Sequence, residues 1–123
     1  MPVTYECKGR LLRMEFVGTY EPEDVTREFL AALADPGCPE KVALLVDTTR
    51  SESLGGRNPG QIRLVAEFLK PHAERIGGRC AIVATEDLHF GLSRMGSVYS
   101  EAAGVETQVF RDSEAALVWL GVR

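Results

Sequence analysis

The side chains best suited to chemistry gather in two places along this chain. One is Asp47 with the polar run behind it, Thr48-Thr49-Arg50-Ser51-Glu52-Ser53-Leu54-Gly55-Gly56-Arg57; the other is Thr85-Glu86-Asp87 leading to His89. A carboxylate such as Asp47 can accept hydrogen bonds from the start of a helix or hold a ligand hydroxyl, and it can equally do no more than satisfy loop amides. Thr49, Arg50 and Arg57 would extend such a binding edge. Gly55-Gly56-Arg57 offers close backbone approach to an anion and a cation to meet it. Neither GxxxxGK[ST] nor GxGxxG is present between a strand and a helix, so the stretch reads as a loop with an exposed arginine.

Acid–base work by Asp47 and His89 would need a substrate or nucleophile within hydrogen-bond reach, and no residue pattern supplies one. The two histidines, His72 and His89, lie at opposite ends of their helices and share no ligand spacing, which argues against a metal. Ser51, Ser53, Ser93 and Ser97 lack a GxSxG setting, so a hydrolase has no support. Cysteines at 7, 38 and 80 are odd in number and widely spaced, fitting neither a zinc pattern nor a disulfide framework. Cys38, in the turn Pro36-Gly37-Cys38-Pro39, is expected to be the most exposed. Cys80, in the apolar run Cys80–Ala84, is expected to act as a small buried side chain. No cofactor is expected.

The elements that must position these groups follow from length and pattern. At 123 residues, with 45% hydrophobic and 26% charged side chains, the chain fits one ordinary domain able to bury its own core. A net charge of −4 argues against a nucleic-acid partner, which needs a concentrated basic surface. No apolar run approaches the roughly 20 residues that span a bilayer. The start of the chain lacks the basic and apolar regions of a signal peptide, so the expectation is a cytoplasmic protein.

Val3 to Lys8 and Arg10 to Val17 are strand-like about Gly9, which predicts a hairpin; Leu12, Met14 and Phe16 alternate with Arg13 and Glu15. Pro22 opens a helix behind Glu21, with Glu23 and Asp24 at its positive end and Asp35-Pro36-Gly37 ending it. Val42–Val46 is apolar without alternation, the pattern of a strand covered on both faces at the centre of a largely parallel sheet, and Asp47 is expected to end it. Asn58-Pro59-Gly60-Gln61 reads as a helix start. That helix has the stripe Ile62, Val65, Ala66, Leu69 and Ala73, flanked by Leu64 and Phe68, with Pro71 kinking or ending it. After Gly77-Gly78 comes a strand from Arg79 to Thr85. A third helix follows, capped by Thr85 or Asp87, with the stripe Leu88, Leu92, Met95, Tyr99 and Ala102. A strand over 105–111 and a last helix bearing Leu117, Trp119 and Leu120 complete an α/β order of five strands and four helices. Met95, Tyr99 and Trp119 read first as core. Apolar surface left over on the second and third helices would line a pocket or a dimer seam.

With the elements in order, the chain resembles the SpoIIAA-like proteins of the STAS superfamily. The likeness covers nearly the whole chain. It rests on Val42 to Asp47, on Arg79-Cys80-Ala81-Ile82-Val83-Ala84, on the Phe90-Gly91-Leu92-Ser93-Arg94-Met95 helix, and on Val109-Phe110-Arg111-Asp112 through Ala115–Leu120. The resemblance implies a sequential β-α superhelix with one antiparallel edge strand and no enzymatic activity. In the superfamily's anti-sigma-factor antagonists, a kinase phosphorylates a Ser or Thr in an Asp-Ser/Thr-Ser/Thr-Gly turn at the start of the helix after the Asp-ended strand. Here that region reads Ser51-Glu52-Ser53-Leu54-Gly55-Gly56, without the turn; Ser51 and Ser53 are the nearest candidates. The wider group includes proteins suspected of binding apolar small molecules.

The leading expectation is a non-enzymatic binding or regulatory module. Its 47–57 loop and adjacent helices would engage a small apolar ligand or a protein partner through Asp47, Thr49, Arg50, Arg57, Phe68, His89, Met95 and Tyr99. A phosphorylation switch at Ser51 or Ser53 is the second reading, and a small enzyme using Asp47 and His89 is the third. Leu64 and Phe68, lying off the main stripe, motivate a homodimer.

Overall fold

The computed structural model describes residues 2–52 and 59–122. The chain runs through β1 (Val3–Lys8), β2 (Leu11–Gly18), α1 (Pro22–Ala34), β3 (Ala43–Ser51) and α2 (Pro59–Phe68). A 3-10 turn (Lys70–His72), β4 (Arg79–Val83), α3 (Asp87–Ala102), β5 (Glu106–Phe110) and α4 (Ser113–Leu120) complete it. The strands form one sheet in the order β1-β2-β3-β4-β5. Only β1 runs antiparallel to its neighbour. The α/β architecture expected from the sequence is therefore present: a mostly parallel five-stranded sheet, one antiparallel edge strand, and four helices.

Local chemistry explains the joints. Pairing of Lys8 with Leu11 leaves Gly9 and Arg10 as a two-residue turn, and Gly9 supplies the positive φ of 59° that the turn needs. At α1, the Glu21 side chain caps the third helical amide while the Glu21 N–H donates to Asp24 Oδ2 at 2.8 Å, a reciprocal capping box ahead of Pro22. Pro71 falls in the 3-10 turn just beyond α2, where it ends the helix as expected.

Strand order fixes the layers. Right-handed crossovers in a sheet whose order never reverses put every connecting helix on one side. On that side Leu12, Met14, Phe16, Leu44 and Cys80 meet Val25, Phe29 and Ala32 of α1, with Val65 and Phe68 of α2 packed against them. The last helix, α4, returns across the other face and buries Ala116 and Leu120 on Ala43, Leu45, Ala81 and Val83. Leu44 and Leu45 thus serve different cores, so β3 is the doubly covered central strand that its apolar run predicts.

Several expectations are corrected. Asp47 does not end β3: the strand continues to Ser51, because β2 is long enough to pair with it, Glu15 with Asp47 and, past an irregularity, Val17 with Arg50 and Gly18 with Ser51. Residues 47–51, which read as loop from their polarity, are ladder. Cys7 and Cys38 are bonded to each other with Cα atoms 5.5 Å apart, since the β1 edge and the α1–β3 connection converge in space. Cys38 is correspondingly buried, not exposed.

The third helix is turned by one residue from its expected phase. In place of Leu88, Leu92, Met95, Tyr99 and Ala102, the inward side carries His89, Ser93, Gly96, Ser100 and Ala103. Leu88 and Met95 are exposed, while Leu92 and Tyr99 are half-buried. One residue is about 100° of rotation. These small side chains stand on the sheet-facing side of α3, which packs chiefly on β5 and α2. Its N-cap is Glu86 rather than Thr85 or Asp87, and Asp87 instead pairs with Arg111 at 2.9 Å. Among the described residues no helix is long and apolar enough to cross a membrane.

Candidate functional site

Period-two alternation aims Met14 and Phe16 of β2, Leu44, Val46 and Thr48 of β3, and Cys80 and Ile82 of β4 at the three-helix layer. Above them stand Pro22, Val25 and Phe29 of α1, Val65, Ala66 and Phe68 of α2, and Leu92, Ser93, Gly96 and Ser100 of α3. The two surfaces do not close. A cavity of about 140 Å³ remains between them. Its room comes from the phase of α3, which offers Ser93, Gly96 and Ser100 where a filled core would have large side chains.

The walls are held by aromatic and hydroxyl contacts. Phe16 and Tyr20 rings lie 5.0 Å apart, and Phe29 meets Phe68 edge-on at 5.9 Å. Tyr20 Oη and Ser51 Oγ share a hydrogen bond of 2.8 Å, and Thr48 Oγ1 donates to the Val83 carbonyl at 2.8 Å. Burial pushes the Cys80 thiol up to about 12, so this group stays neutral in the wall. Among the described lining residues none is charged. An arrangement of this kind can exclude water and hold apolar matter; it presents no nucleophile paired with a base.

The residues singled out from the sequence separate into distinct places. Phe68 lines the cavity. Asp47, between the inward Val46 and Thr48, faces the α4 side of the sheet, where Arg13 donates to its Oδ2. Thr49 gives Asp47 Oδ1 two more bonds, from its amide at 2.9 Å and its hydroxyl at 2.6 Å. Arg50 reaches Glu15 at 3.7 Å, and Glu15 lies 3.7 Å from Arg13. Asp47, Thr49 and Arg50 therefore belong to one cross-strand ionic network on the face away from the cavity.

His89 is buried at the start of α3 with Nε2 3.4 Å from Glu86 Oε2, a local pairing. Met95 lines a shallow groove between α3 and β5 with Phe90, Val98 and Thr107. Tyr99 sits under the Arg63 guanidinium at 5.9 Å, joining α3 to α2. Ser51 is buried in β3 on Tyr20, not placed at a helix start. Ser53 and Arg57, like the Gly55-Gly56 pair and the Asn58 cap, lie outside the described residues. Ser93, Gly96 and Ser100 were missed as site residues because hydrophobic patterning passes over small side chains. Their spacing, continued to Ala103, was the available signal.

No family model matches the chain, and no curated protein matches it significantly. Among solved structures, an uncharacterized protein of the DUF3478 family from Shewanella loihica PV-4, described as having a SpoIIAA-like fold, matches with a TM-score of 0.59. The two share 22% identity over 96% of this chain and 91% of that one. The chain has a SpoIIAA-like fold, as the resemblance in its sequence implied.

Proposed function

We propose that this SpoIIAA-like domain is a non-enzymatic binding module that takes a small apolar ligand into the cavity beneath α1, α2 and α3. The cavity itself carries this reading. An apolar space of about 150 Å³ suffices for benzene, and the space here is about 140 Å³. A ligand that covers this apolar lining removes it from water, which is what favours binding.

The competing readings draw less support. A switch at Ser51 would need a kinase to reach a hydroxyl that is 5% exposed and bonded to Tyr20. Asp47 and His89 each spend their polar atoms on other partners, Arg13 with Thr49 and Glu86. A protein partner keeps one supporting observation: Leu64, Leu88 and Val98 are each at least 60% exposed on α2 and α3.

Native mass spectrometry of freshly purified protein, followed by melting curves across a panel of small aromatic and short-chain compounds, tests the ligand reading. A bound mass or a saturable rise in Tm is expected. Ligand-free spectra and flat melting temperatures across the panel would overturn it.

A further inference from the structure

The cavity is apolar in most of its wall, and its exceptions say what enters it. Ser93 and Ser100 are 6% and 4% exposed, and both line the cavity from α3. Of the other polar lining residues, Thr48 has spent its hydroxyl on the Val83 carbonyl, and Tyr20 and Gln61 are engaged with partners of their own. Neither serine hydroxyl has a hydrogen-bond partner among the described residues, although Ser97, on the same helix, bonds the Arg94 carbonyl at 2.7 Å. Neither oxygen is among the fully enclosed unpartnered atoms, so each keeps some accessible surface for an incoming partner. Two such hydroxyls facing one space are donors and acceptors held ready for something inside it.

From this we infer, building on the binding function proposed above, that the ligand is a compact neutral molecule bearing at least one hydroxyl or carbonyl, recognised by Ser93 and Ser100. Size limits it to roughly six to eight carbons, a single ring or short chain, by comparison with what a benzene-sized cavity holds. Charge is excluded by the walls. No cationic or anionic side chain lines the space among the described residues, and Cys80 stays a neutral thiol. A carboxylate or ammonium would enter unpaired, losing far more hydration than two serine hydroxyls return. The serines are seven residues apart on one helix face, about 10 Å along its axis. A polar substituent at either end of a ring meets one of them.

Calorimetric titration of toluene, phenol and benzoate into the wild type and a Ser93→Ala/Ser100→Ala variant tests this. Toluene and phenol have the same shape, so their affinity ratio isolates the hydroxyl. The ratio of phenol to toluene affinity is expected to fall about tenfold in the double variant, with toluene still bound and benzoate bound by neither protein. Melting of the unliganded variant should match or exceed the wild type, because two unpaired hydroxyls are removed and alanine favours helix. An unchanged ratio, or benzoate binding as tightly as phenol, would overturn the inference while leaving the binding function standing. Failure of all three compounds to bind the wild type would remove that function and the inference together.

Discussion

Val46 and Asp47 are neighbours in β3 and serve opposite faces of the sheet: Val46 lines the cavity, while Asp47 is held by Arg13 and Thr49 on the side of α4. The most conspicuous acidic residue of the chain is thereby assigned to structure. Replacing it with Ala leaves Arg13 and the Thr49 groups without their shared acceptor. A loss of about 2 kcal/mol in urea stability is expected, since the carboxylate is buried but Arg13 is partly solvated. Toluene affinity should be unchanged. A large loss of binding with intact stability would show that Asp47 acts on the ligand side.

The Cys7–Cys38 bond closes a span of 31 residues that contains β2 and α1, and so ties down one wall of the cavity. Constraining a chain over that length contributes about 4 kcal/mol, chiefly by restricting the unfolded state. Denaturation midpoints with and without dithiothreitol, together with a Cys7→Ser/Cys38→Ser variant, measure this. Reduced and doubly substituted proteins should agree with each other and fall below the oxidised protein. Equal midpoints in all three would mean that the bond does not form.

Cys80 is the remaining thiol, fully enclosed in β4 and held protonated by burial, with its acidity pushed to about 12. A thiol of that kind is inert toward disulfide reagents until the fold opens. Titration should find no reactive thiol in the native oxidised protein, one in denaturant, and three after reduction in denaturant. Fast labelling in the native state would show that the cavity wall opens readily.

Near the disulfide, the Tyr5 hydroxyl donates to Asp35 Oδ2 at 2.8 Å and the Gly37 amide donates to Asp35 Oδ1 at 2.8 Å. The Gly37 bond, helped by Tyr5, holds Asp35 below its ordinary value, and the bond to Asp35 raises Tyr5 above its own. A lowered carboxyl contributes stability that is present above its unfolded value and lost as pH falls through the folded one. A raised phenol contributes stability that is present below its unfolded value and lost as pH rises through the folded one. The urea-midpoint gap between the wild type and Tyr5→Phe should be widest near neutrality and narrow below about pH 3. A gap that does not change with pH would contradict the assignment.

Much of this architecture was legible in the residues. The alternation of Leu12, Met14 and Phe16, the unbroken run at 42–46 and the Pro22 start gave the order of elements and the central strand, because each is a local consequence of burial. What escaped depended on distant partners. The continuation of β3 through Asp47 to Ser51 relies on ladder groups of β2, and the disulfide relies on two segments 31 residues apart. The phase of α3 escapes the pattern for a different reason. Leu88, Met95 and Tyr99 carry the hydrophobicity, but the inward side holds Ser93, Gly96 and Ser100, whose smallness is silent in a hydrophobic pattern. The cavity lies along that side of α3.

The decisive measurement is a calorimetric titration of toluene into the wild type and into Gly96→Leu, a variant that adds a side chain at a cavity-lining position of α3 while removing a helix glycine. The wild type should bind one equivalent saturably. The variant should melt higher, by about 1 kcal/mol of added stability from helix propensity alone, and bind none. No heat of binding to the wild type, or equal affinity in both proteins, would contradict a ligand site between the sheet and α3.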